Sequence, residues 1–385
     1  MSLVPPPLSL YVHMPWCVRK CPYCDFNSHG LRGTPDYASY VRTLLADLDA
    51  DLRDFAGAVE GRRVETVFFG GGTPSLFSPE LVGRFLDGAR ERLPFATDAE
   101  ITLETNPGTV EHGRFDGYLT AGVNRISFGV QSFDDKALHR LGRIHSAGEA
   151  ADAVRQAQDA GIANINIDLM YALPEQMLAG AIDDVDRAVA LRPTHVSHYQ
   201  LTLEPNTAFA ANPPPLPDDD AAWAIQEACE ARLAEAGYGQ YEVSAYALPG
   251  RRCAHNLNYW RFGDYLGIGA GAHGKISDAH GVRRRWKTRL PAAYLASEGQ
   301  PARIGGDSLV SAADLPFEYM LNALRLIDGV PSADFAARTG LPRDTIAPAL
   351  ATCVARGWLV DDPAVLRTTL LGQRFLNDVI EAFMV

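Results

Sequence analysis

The sequence lacks any apolar stretch long enough to cross a membrane. No run approaches the roughly 18 consecutive apolar residues that a transmembrane helix requires. The first seven residues, Met-Ser-Leu-Val-Pro-Pro-Pro, have neither the basic start nor the apolar core of a secretory signal peptide. We therefore expect a cytoplasmic protein without a transmembrane segment.

Basic residues are also fewer than acidic ones, and cysteines are few outside one short stretch. The chain has 35 Lys and Arg against 47 Asp and Glu, a formal net charge of −12. Proteins that bind nucleic acid neutralise phosphates with basic side chains, so we expect no nucleic acid as a main partner. Cys229, Cys253 and Cys353 are too scattered for a disulfide framework, which predicts a reducing compartment.

The other three cysteines are concentrated in one short stretch. Cys17, Cys21 and Cys24 follow an apolar run that reads as the first strand. Thiolates this close together bind soft metals or iron–sulfur clusters. A structural zinc site or an ordinary [4Fe–4S] cluster takes four protein ligands, so three cysteines leave one position open. The alternatives are a zinc site completed by His29 or Asp25, and disulfides.

The first 200 residues alternate strand-like runs with amphipathic helical patterns, which predicts an α/β fold with a parallel sheet. The predicted strands are Leu8–His13, Val64–Phe69, Glu100–Glu104, Arg125–Gly129, Asn164–Met170 and His195–Leu201. Six units are too few for a closed eight-fold barrel, so we expect a partial (β/α)6 barrel that is open at one side.

Polar or glycine-rich residues follow each predicted strand at its carboxyl end, where barrels of this type place their functional groups. After the cysteine stretch, these residues are Gly70-Gly71-Gly72-Thr73-Pro74, Glu104, Gln131, Asp168 and, within the sixth strand, His198-Tyr199-Gln200. The glycines allow backbone to approach a ligand closely with free N–H and C=O groups, although a plain tight turn is the alternative. Glu104 could instead be a helix N-cap or a surface carboxylate without a role in binding.

Composition changes along the chain predict three parts. Residues 1–237 form the barrel, residues 238–305 a sheet extension and linker, and residues 306–385 a small α-rich, winged-helix-like domain. A helix–turn–helix pattern in that last part raises the alternative of an iron–sulfur DNA-binding regulator. Its candidate second helix carries fixed positive charge only at Arg343 and Arg356, which is poor for phosphate contacts.

Several longer motifs resemble one known family. They are Tyr11-Val-His-Met-Pro-Trp-Cys17, Phe69-Gly-Gly-Gly-Thr-Pro-Ser75, Ile126-Ser-Phe-Gly-Val-Gln-Ser-Phe133, Leu141-Gly-Arg-Ile-His145 and Asn166-Ile-Asp-Leu-Met-Tyr-Ala-Leu-Pro174. Over nearly the whole chain, the sequence resembles the oxygen-independent coproporphyrinogen III oxidase family of radical S-adenosylmethionine (SAM) proteins. The resemblance implies a radical SAM barrel with a HemN-type C-terminal domain, and a [4Fe–4S] cluster on Cys17, Cys21 and Cys24 with SAM on the open iron. It also implies SAM contacts from Tyr11, Tyr23, Gly71, Gly72, Thr73, Glu104, Gln131, Arg143 and Asp168.

Two departures point to the heme-chaperone branch of that family. Phe26 stands where the oxidases carry a further cysteine, and only sixteen residues precede Cys17. The branch also carries motifs like three that are present here, namely His255-Asn-Leu-Asn-Tyr-Trp260, Tyr265-Leu-Gly-Ile-Gly-Ala-Gly-Ala-His-Gly274 and Leu324-Arg-Leu-Ile-Asp-Gly329.

The resemblance therefore implies a protein that binds heme and passes it to apo-hemoproteins such as membrane respiratory enzymes. His255 is the predicted axial ligand, since neutral imidazole commonly binds heme iron, and Tyr259 and Trp260 could pack on the porphyrin. The alternative is a histidine whose ring is hydrogen-bonded in a turn. The basic run Arg283–Arg289 is a candidate for heme propionates or a solvated strand face. Oxidative decarboxylation of coproporphyrinogen III is the alternative function, and we favour a chaperone over an enzyme.

Overall fold

The computed structural model describes residues 3–109 and 114–384. Its strands are β1 (Leu8–Met14), β2 (Trp16–Cys17), β3 (His29–Gly30), β4 (Val64–Gly71), β5 (Phe95–Thr105), β6 (Arg125–Gln131), β7 (Asn164–Tyr171), β8 (His195–Gln200), β9 (Gly239–Glu242), β10 (Ala245–Ala247), β11 (Asp264–Ile268), β12 (His273–Asp278), β13 (Gly281–Lys287), β14 (Ile304–Leu309), β15 (Val330–Pro331) and β16 (Val365–Leu366).

The α-helices alternate with the first strands and dominate the last seventy residues. They are α1 (Tyr37–Asp54), α2 (Ala56–Val59), α3 (Pro79–Arg90), α4 (Arg114–Ala121), α5 (Asp135–Arg140), α6 (Ala147–Asp159), α7 (Leu178–Ala190), α8 (Ala208–Ala211), α9 (Asp219–Glu235), α10 (Ala254–Trp260), α11 (Pro291–Ala296), α12 (Leu315–Ala323), α13 (Ala333–Thr339), α14 (Ala347–Ala355), α15 (Leu370–Arg374) and α16 (Leu376–Glu381). None of these described helices is long and apolar enough to cross a membrane.

Twelve strands form one mixed sheet in the order β14-β13-β12-β11-β1-β4-β5-β6-β7-β8-β10-β9. The six predicted strands are all present and lie side by side in parallel, as β1, β4, β5, β6, β7 and β8. The predicted α/β fold with six parallel βα units is therefore confirmed. A seventh parallel strand, β11, pairs with β1 and was missed, because its five residues include a glycine and follow a helix-like run.

Residues on these strands alternate between two environments. On β7, Ile165, Ile167 and Leu169 are buried against the helices, whereas Asn166 and Asp168 point to the inner side of the barrel and hydrogen-bond each other. Successive strand residues face opposite sides of a sheet, so the pattern places polar groups inside the barrel.

Helix α10 closes the barrel at the amino ends of its strands. The Glu100 carboxylate on β5 accepts the backbone N–H groups of Ala254 and His255 at 3.2 and 3.0 Å. The Asn258 side-chain amide donates to Ser9 Oγ on β1 at 2.8 Å. We call this closed end the barrel floor, comprising Ser9, Thr66, Glu100, His255 and Asn258.

A buried ion-pair cluster holds the sheet extension on the barrel. Lys287 Nζ on β13 lies 2.5 Å from Asp47 Oδ1 and 2.7 Å from Asp51 Oδ2 on α1. The Arg303 guanidinium reaches the same two carboxylates. Because removal of one member would leave a buried charge unpaired, the cluster fixes β13 and β14 against α1.

The last seventy residues pack around a second core, which contains Tyr319 and Phe335 and also takes in Phe262. Two helical segments of this part are interrupted. The segment from Leu371 to Phe383 is broken at Phe375 into α15 and α16, and α14 begins only after a 3-10 turn over Arg343–Ile346. The boundary at residue 306 stays a prediction.

Candidate functional site

A cavity of about 470 Å³ lies at the carboxyl ends of the parallel strands. The predicted site residues that line it are Cys17, Cys21, Tyr23, Cys24, Gly71, Gly72, Thr73, Glu104, Gln131, Arg143 and Asp168. The structure thus brings eleven of the thirteen predicted site residues together. Tyr11 and His255 are not among the described residues that line the cavity.

Backbone hydrogen bonds hold the cysteine loop at the rim of this cavity. The loop starts at β2 and returns at β3, and these two strands pair in parallel. Leu31 N donates to Cys17 O at 2.9 Å, and Cys24 N donates to Cys21 O at 3.2 Å. The Asn27 side-chain amide donates to Ala270 O and Arg289 O, both at 2.9 Å, which ties the loop to the sheet extension.

The cysteines lie in a part of the cavity that disfavours free thiolates. Burial raises the pKa of Cys17 and of Cys24. Arg143 Nη1 lies 3.5 Å from Cys21 Sγ, so Arg143 is the cation that contacts a cysteine sulfur. The ammonium of Lys20 donates to Phe26 O at 3.0 Å, and its charge lowers the pKa of Cys24 against the larger effect of burial.

Within the described residues, no group of three or more His, Cys, Asp or Glu side chains is placed to hold a metal ion. A [4Fe–4S] cluster makes a different demand, because each cysteine binds a separate iron. Three thiols on one anchored loop beside a cavity fit that demand.

The glycine loop packs directly on the strand that precedes the cysteines. Gly71 has φ +107°, and a Cβ there would lie 2.3 Å from the His13 ring. A Cβ on Gly72 would lie 2.5 Å from Trp16 O. The expectation of free N–H groups is wrong: Gly72 N donates to Met14 O at 2.8 Å and Thr73 N to Trp16 O at 2.7 Å.

Two buried carboxyl groups face the cavity next to this loop. Burial, with the nearby Asp168, raises the pKa of Glu104 to about 8, although Gly71 N donates to Glu104 Oε2 at 3.2 Å. Burial also raises the pKa of Asp168, which accepts hydrogen bonds from Asn166 and Ser127. A cationic ligand would compensate for the cost of ionising such carboxyls.

Gln131 and Arg143 form the opposite wall. Gln131 has φ +72°, a left-handed conformation that is uncommon outside glycine and is often found at ligand sites. Its Oε1 accepts from the Tyr199 hydroxyl at 2.8 Å. The Arg143 guanidinium donates to Gly129 O and to Asn106 Oδ1, while its Nε is buried without a hydrogen-bond partner.

Tyr11 and Tyr23 occupy different positions relative to the cavity. The Tyr11 hydroxyl lies 3.0 Å from His13 Nδ1, and His13 in turn contacts the glycine loop. Tyr11 thus supports that loop from below. The Tyr23 ring lines the cavity and lies 6.3 Å from the Phe209 ring, and burial raises the pKa of its hydroxyl.

His255 lies in the barrel floor with both ring nitrogens occupied. Its Nδ1 is 2.6 Å from Thr66 Oγ1 and its Nε2 is 3.0 Å from the Tyr259 hydroxyl. The ring stacks on Phe68 with centroids 4.9 Å apart, and the residue is 1% exposed. Burial lowers the pKa of His255 to about 3. Iron binding by His255 stays a prediction, and it would require one of these two hydrogen bonds to break.

The same helix presents other members of its motif to the cavity. Asn256 and Trp260, four residues apart and hence on one face of α10, both line it. Trp260 Nε1 is buried without a hydrogen-bond partner, and the Arg325 guanidinium lies 4.3 Å from the centre of its ring. The predicted packing of Tyr259 on a porphyrin is not supported, since Tyr259 contacts His255 and Tyr265.

Most basic side chains of the run Arg283–Arg289 form ion pairs with acidic residues. Arg283 pairs with Asp307, Arg284 with Glu318, Arg285 with Asp51, Asp54 and Asp307, and Lys287 with Asp47 and Asp51. Arg289 is exposed and makes no ion pair within the described residues. The run therefore has a structural role, and of its described basic residues only Arg289 is left to bind a ligand.

Comparisons with known proteins agree with this architecture. Residues 11–187 match the radical SAM superfamily and residues 310–375 match the HemN C-terminal domain. The heme chaperone HemW of Escherichia coli is 51% identical over 98% of both chains, and that of Haemophilus influenzae is 48% identical over the same shares. The chain belongs to the heme chaperone HemW family.

The solved structure of coproporphyrinogen III oxidase (HemN) from Escherichia coli has the same fold as this HemW family member. It superposes with a TM-score of 0.82 over 98% of this chain and 90% of that one, at 24% identity. At that identity the likeness concerns the fold alone. In this chain, Phe26 lines the cavity mouth and is 63% exposed.

Some cavity residues of this HemW family member escaped prediction. Ser127, Ser197 and Glu242 line the cavity as well, beside the expected Tyr199 and Gln200. The signal that could have found most of them is the period of two along the strands, where polar residues alternate with apolar ones. Glu242 lies beyond the predicted barrel, and no sequence pattern brings it near the cysteine loop.

Proposed function

We propose that this protein is a heme chaperone that binds heme and delivers it to apo-hemoproteins, such as respiratory enzymes, in the cytoplasm. The observation that carries the proposal is the 51% identity to the heme chaperone HemW of Escherichia coli over 98% of both chains. Full-length similarity at this level includes the C-terminal part as well as the barrel. It therefore concerns the whole protein rather than a shared scaffold.

The cluster would be held by Cys17, Cys21 and Cys24, which lie on one loop at the cavity rim. The match to the radical SAM superfamily over residues 11–187 supports a [4Fe–4S] cluster and SAM as cofactors. When bound, a reduced cluster of this kind supplies an electron to SAM. The chain's own part is to anchor the loop through Asn27 and to place Arg143 beside Cys21.

The SAM site would extend from the cysteines across the glycine loop to the opposite wall. Two groups of residues would serve it. Gly71, Gly72, Thr73, Glu104 and Asp168 would face the cationic part of SAM, because the two carboxyls supply negative charge in a buried place. Tyr23, Gln131 and Arg143 would close the other side, and Tyr11 would hold the glycine loop through His13.

The second candidate is an oxygen-independent coproporphyrinogen III oxidase, which the fold of the Escherichia coli HemN structure favours. Only the scaffold argues for it, since the identity to that structure is 24%. Phe26, at the position where the oxidases carry a further cysteine, argues against it.

One preparation distinguishes the two functions. The protein is reconstituted anaerobically and divided between a heme titration and an assay with SAM, dithionite and coproporphyrinogen III. A chaperone forms a Soret band on titration and makes no protoporphyrinogen. Formation of protoporphyrinogen with turnover, or failure to bind heme, would overturn the proposal.

A further inference from the structure

His273 is the last residue with a side chain in the glycine-rich motif Tyr265–Gly274. It is not among the described residues that line the cavity. It begins β12, opposite Trp286 on β13, and the two rings stack with centroids 6.0 Å apart and planes 19° from parallel. His273 is exposed, and its ring nitrogens make no hydrogen bond within the described residues. Its environment is thus the reverse of that of His255.

The surroundings of His273 keep its imidazole in the form that iron binds. Partial burial and the cations of Arg284 and Arg289 lower its pKa below the ordinary value. A neutral ring with a free lone pair is the form in which histidine binds heme iron. Trp286 stacks beside the ring, and His273 stays exposed.

The segment that carries His273 lies against the cysteine loop. Strand β11 pairs in parallel with β1, so the carboxyl ends of these strands are neighbours. The Asn27 amide bridges Ala270 O and Arg289 O, and a Cβ on Gly271 would lie 2.2 Å from that amide. Heme at His273 would therefore border the cluster loop rather than enter the barrel floor.

Charge and apolar surface at this place suit a porphyrin with carboxylates. Arg289 lies close enough to His273 to lower its pKa and makes no ion pair within the described residues. Leu290 follows it and is 62% exposed. Arginine pairs well with carboxylates such as heme propionates, and an exposed leucine offers apolar contact.

We propose that His273, in place of His255, is an axial ligand of heme iron, with Arg289 bound to a propionate, at an exposed rim next to the cluster loop. The inference rests on the proposed function, because it names the heme site of the chaperone. An exposed site suits a donor, since an acceptor protein can reach the heme without opening the barrel.

The test is a heme titration of the full-length, cluster-containing protein and of three variants, followed by the Soret band. The variants are His273→Ala, His255→Ala and His280→Ala. His280 is exposed in the turn at the other end of the same hairpin, roughly 20 Å away at the rise of a β-strand, and serves as the matched control. Far-UV circular dichroism checks that each variant is folded.

The proposal predicts that His273→Ala weakens heme binding at least about tenfold, on the scale seen when groups at a metal site are lost. Free imidazole should then restore the wild-type spectrum, which a merely structural role for His273 would not allow. His280→Ala should bind as wild type does. Folded His255→Ala should keep the wild-type Soret maximum.

The possible failures are distinguishable. If His273→Ala gives the wild-type band and affinity, His273 is not the ligand, while heme binding and the proposed function stand. If folded His255→Ala loses the band and His273→Ala keeps it, the ligand is in the barrel floor. If the wild type itself forms no Soret band, the proposed function fails and this inference fails with it.

A second variant tests the carboxylate contact separately. Arg289→Gln should keep the position of the Soret band, because the axial ligand is unchanged, and should weaken affinity several-fold. The difference from wild type should shrink as salt is added, since ion pairs at exposed sites are screened. Equal affinity at low salt would remove Arg289 from the site.

Discussion

The two ends of the barrel differ in how many of their buried polar groups have a hydrogen-bond partner. In the barrel floor, both ring nitrogens of His255 are paired and Glu100 accepts two backbone N–H groups. At the cavity, Thr105 Oγ1, Arg143 Nε and Trp260 Nε1 are buried without a hydrogen-bond partner. An unpaired buried polar group costs about 1–3 kcal/mol. Among the five floor residues, only Asn258 Oδ1 lacks a hydrogen-bond partner within the described structure. The floor is therefore largely complete by itself, whereas ligands would complete the cavity.

The largest effect that the comparison predicts is at the cysteine loop. Cys21→Ala should reduce iron content and the broad cluster absorption to background after anaerobic reconstitution, because a cluster corner loses its ligand. The protein should remain folded, since Cys21 is only partly buried.

Cys229→Ala is the matched control. Cys229 is fully buried in the main core, so its loss costs stability without affecting iron content. Wild-type iron content and absorption in Cys21→Ala would contradict the cluster assignment.

The next effect is in the barrel floor. His255→Ala leaves the Tyr259 hydroxyl without this partner, removes one of the two hydrogen bonds of Thr66, which keeps Ser9, and opens a space beside Phe68. We expect the free energy of unfolding to fall by about 2–4 kcal/mol, as measured by denaturant unfolding. His280→Ala should stay within about 0.5 kcal/mol of wild type. An equally small change in His255→Ala would mean that the floor does not depend on this ring.

The last prediction tests the electrostatic side of the comparison. The carboxyl of Glu104 ionises near its ordinary pKa of 4.5 in the unfolded chain and at about 8 in the folded protein. Between these values, unfolding releases a proton, so this group's contribution to stability is present below about pH 4.5 and is lost as pH rises through about 8. Glu104→Gln removes that dependence.

In thermal melts of the protein without SAM, the melting temperature of Glu104→Gln should therefore rise relative to that of wild type from about pH 5.5 to about pH 8. Glu60→Gln, at an exposed position, should follow wild type throughout. A constant difference between Glu104→Gln and wild type would mean that Glu104 is not protonated near neutrality.

The sequence predicted the cavity better than the floor for a physical reason. Residues at successive strand ends, such as Gly71, Glu104 and Asp168, come together because parallel strands end at one edge, which periodicity alone indicates. The partners of His255 could not be predicted in this way. Thr66 lies 189 residues away in sequence, and only the docking of α10 inside the barrel brings the two together.

Two further expectations failed because they did not take account of hydrogen bonds and ion pairs within the protein. The glycine loop reads as a stretch of free N–H groups, yet the strand before the cysteines takes up those of Gly72 and Thr73. The basic run reads as a ligand surface or a solvated strand face, yet acids on α1, β14 and α12 pair with most of it, leaving Arg289. Sequence shows which groups are present, whereas packing decides which remain free.

Transfer of heme tests the central claim most directly. The protein loaded with one equivalent of heme is mixed anaerobically with an apo-hemoprotein such as apomyoglobin, and the acceptor's Soret band is followed beside a free-heme control. The account predicts that heme moves to the acceptor and that His273→Ala, which holds heme weakly, loses protein-dependent transfer. Heme that stays on the wild-type protein in the presence of excess acceptor, with or without SAM, would contradict it.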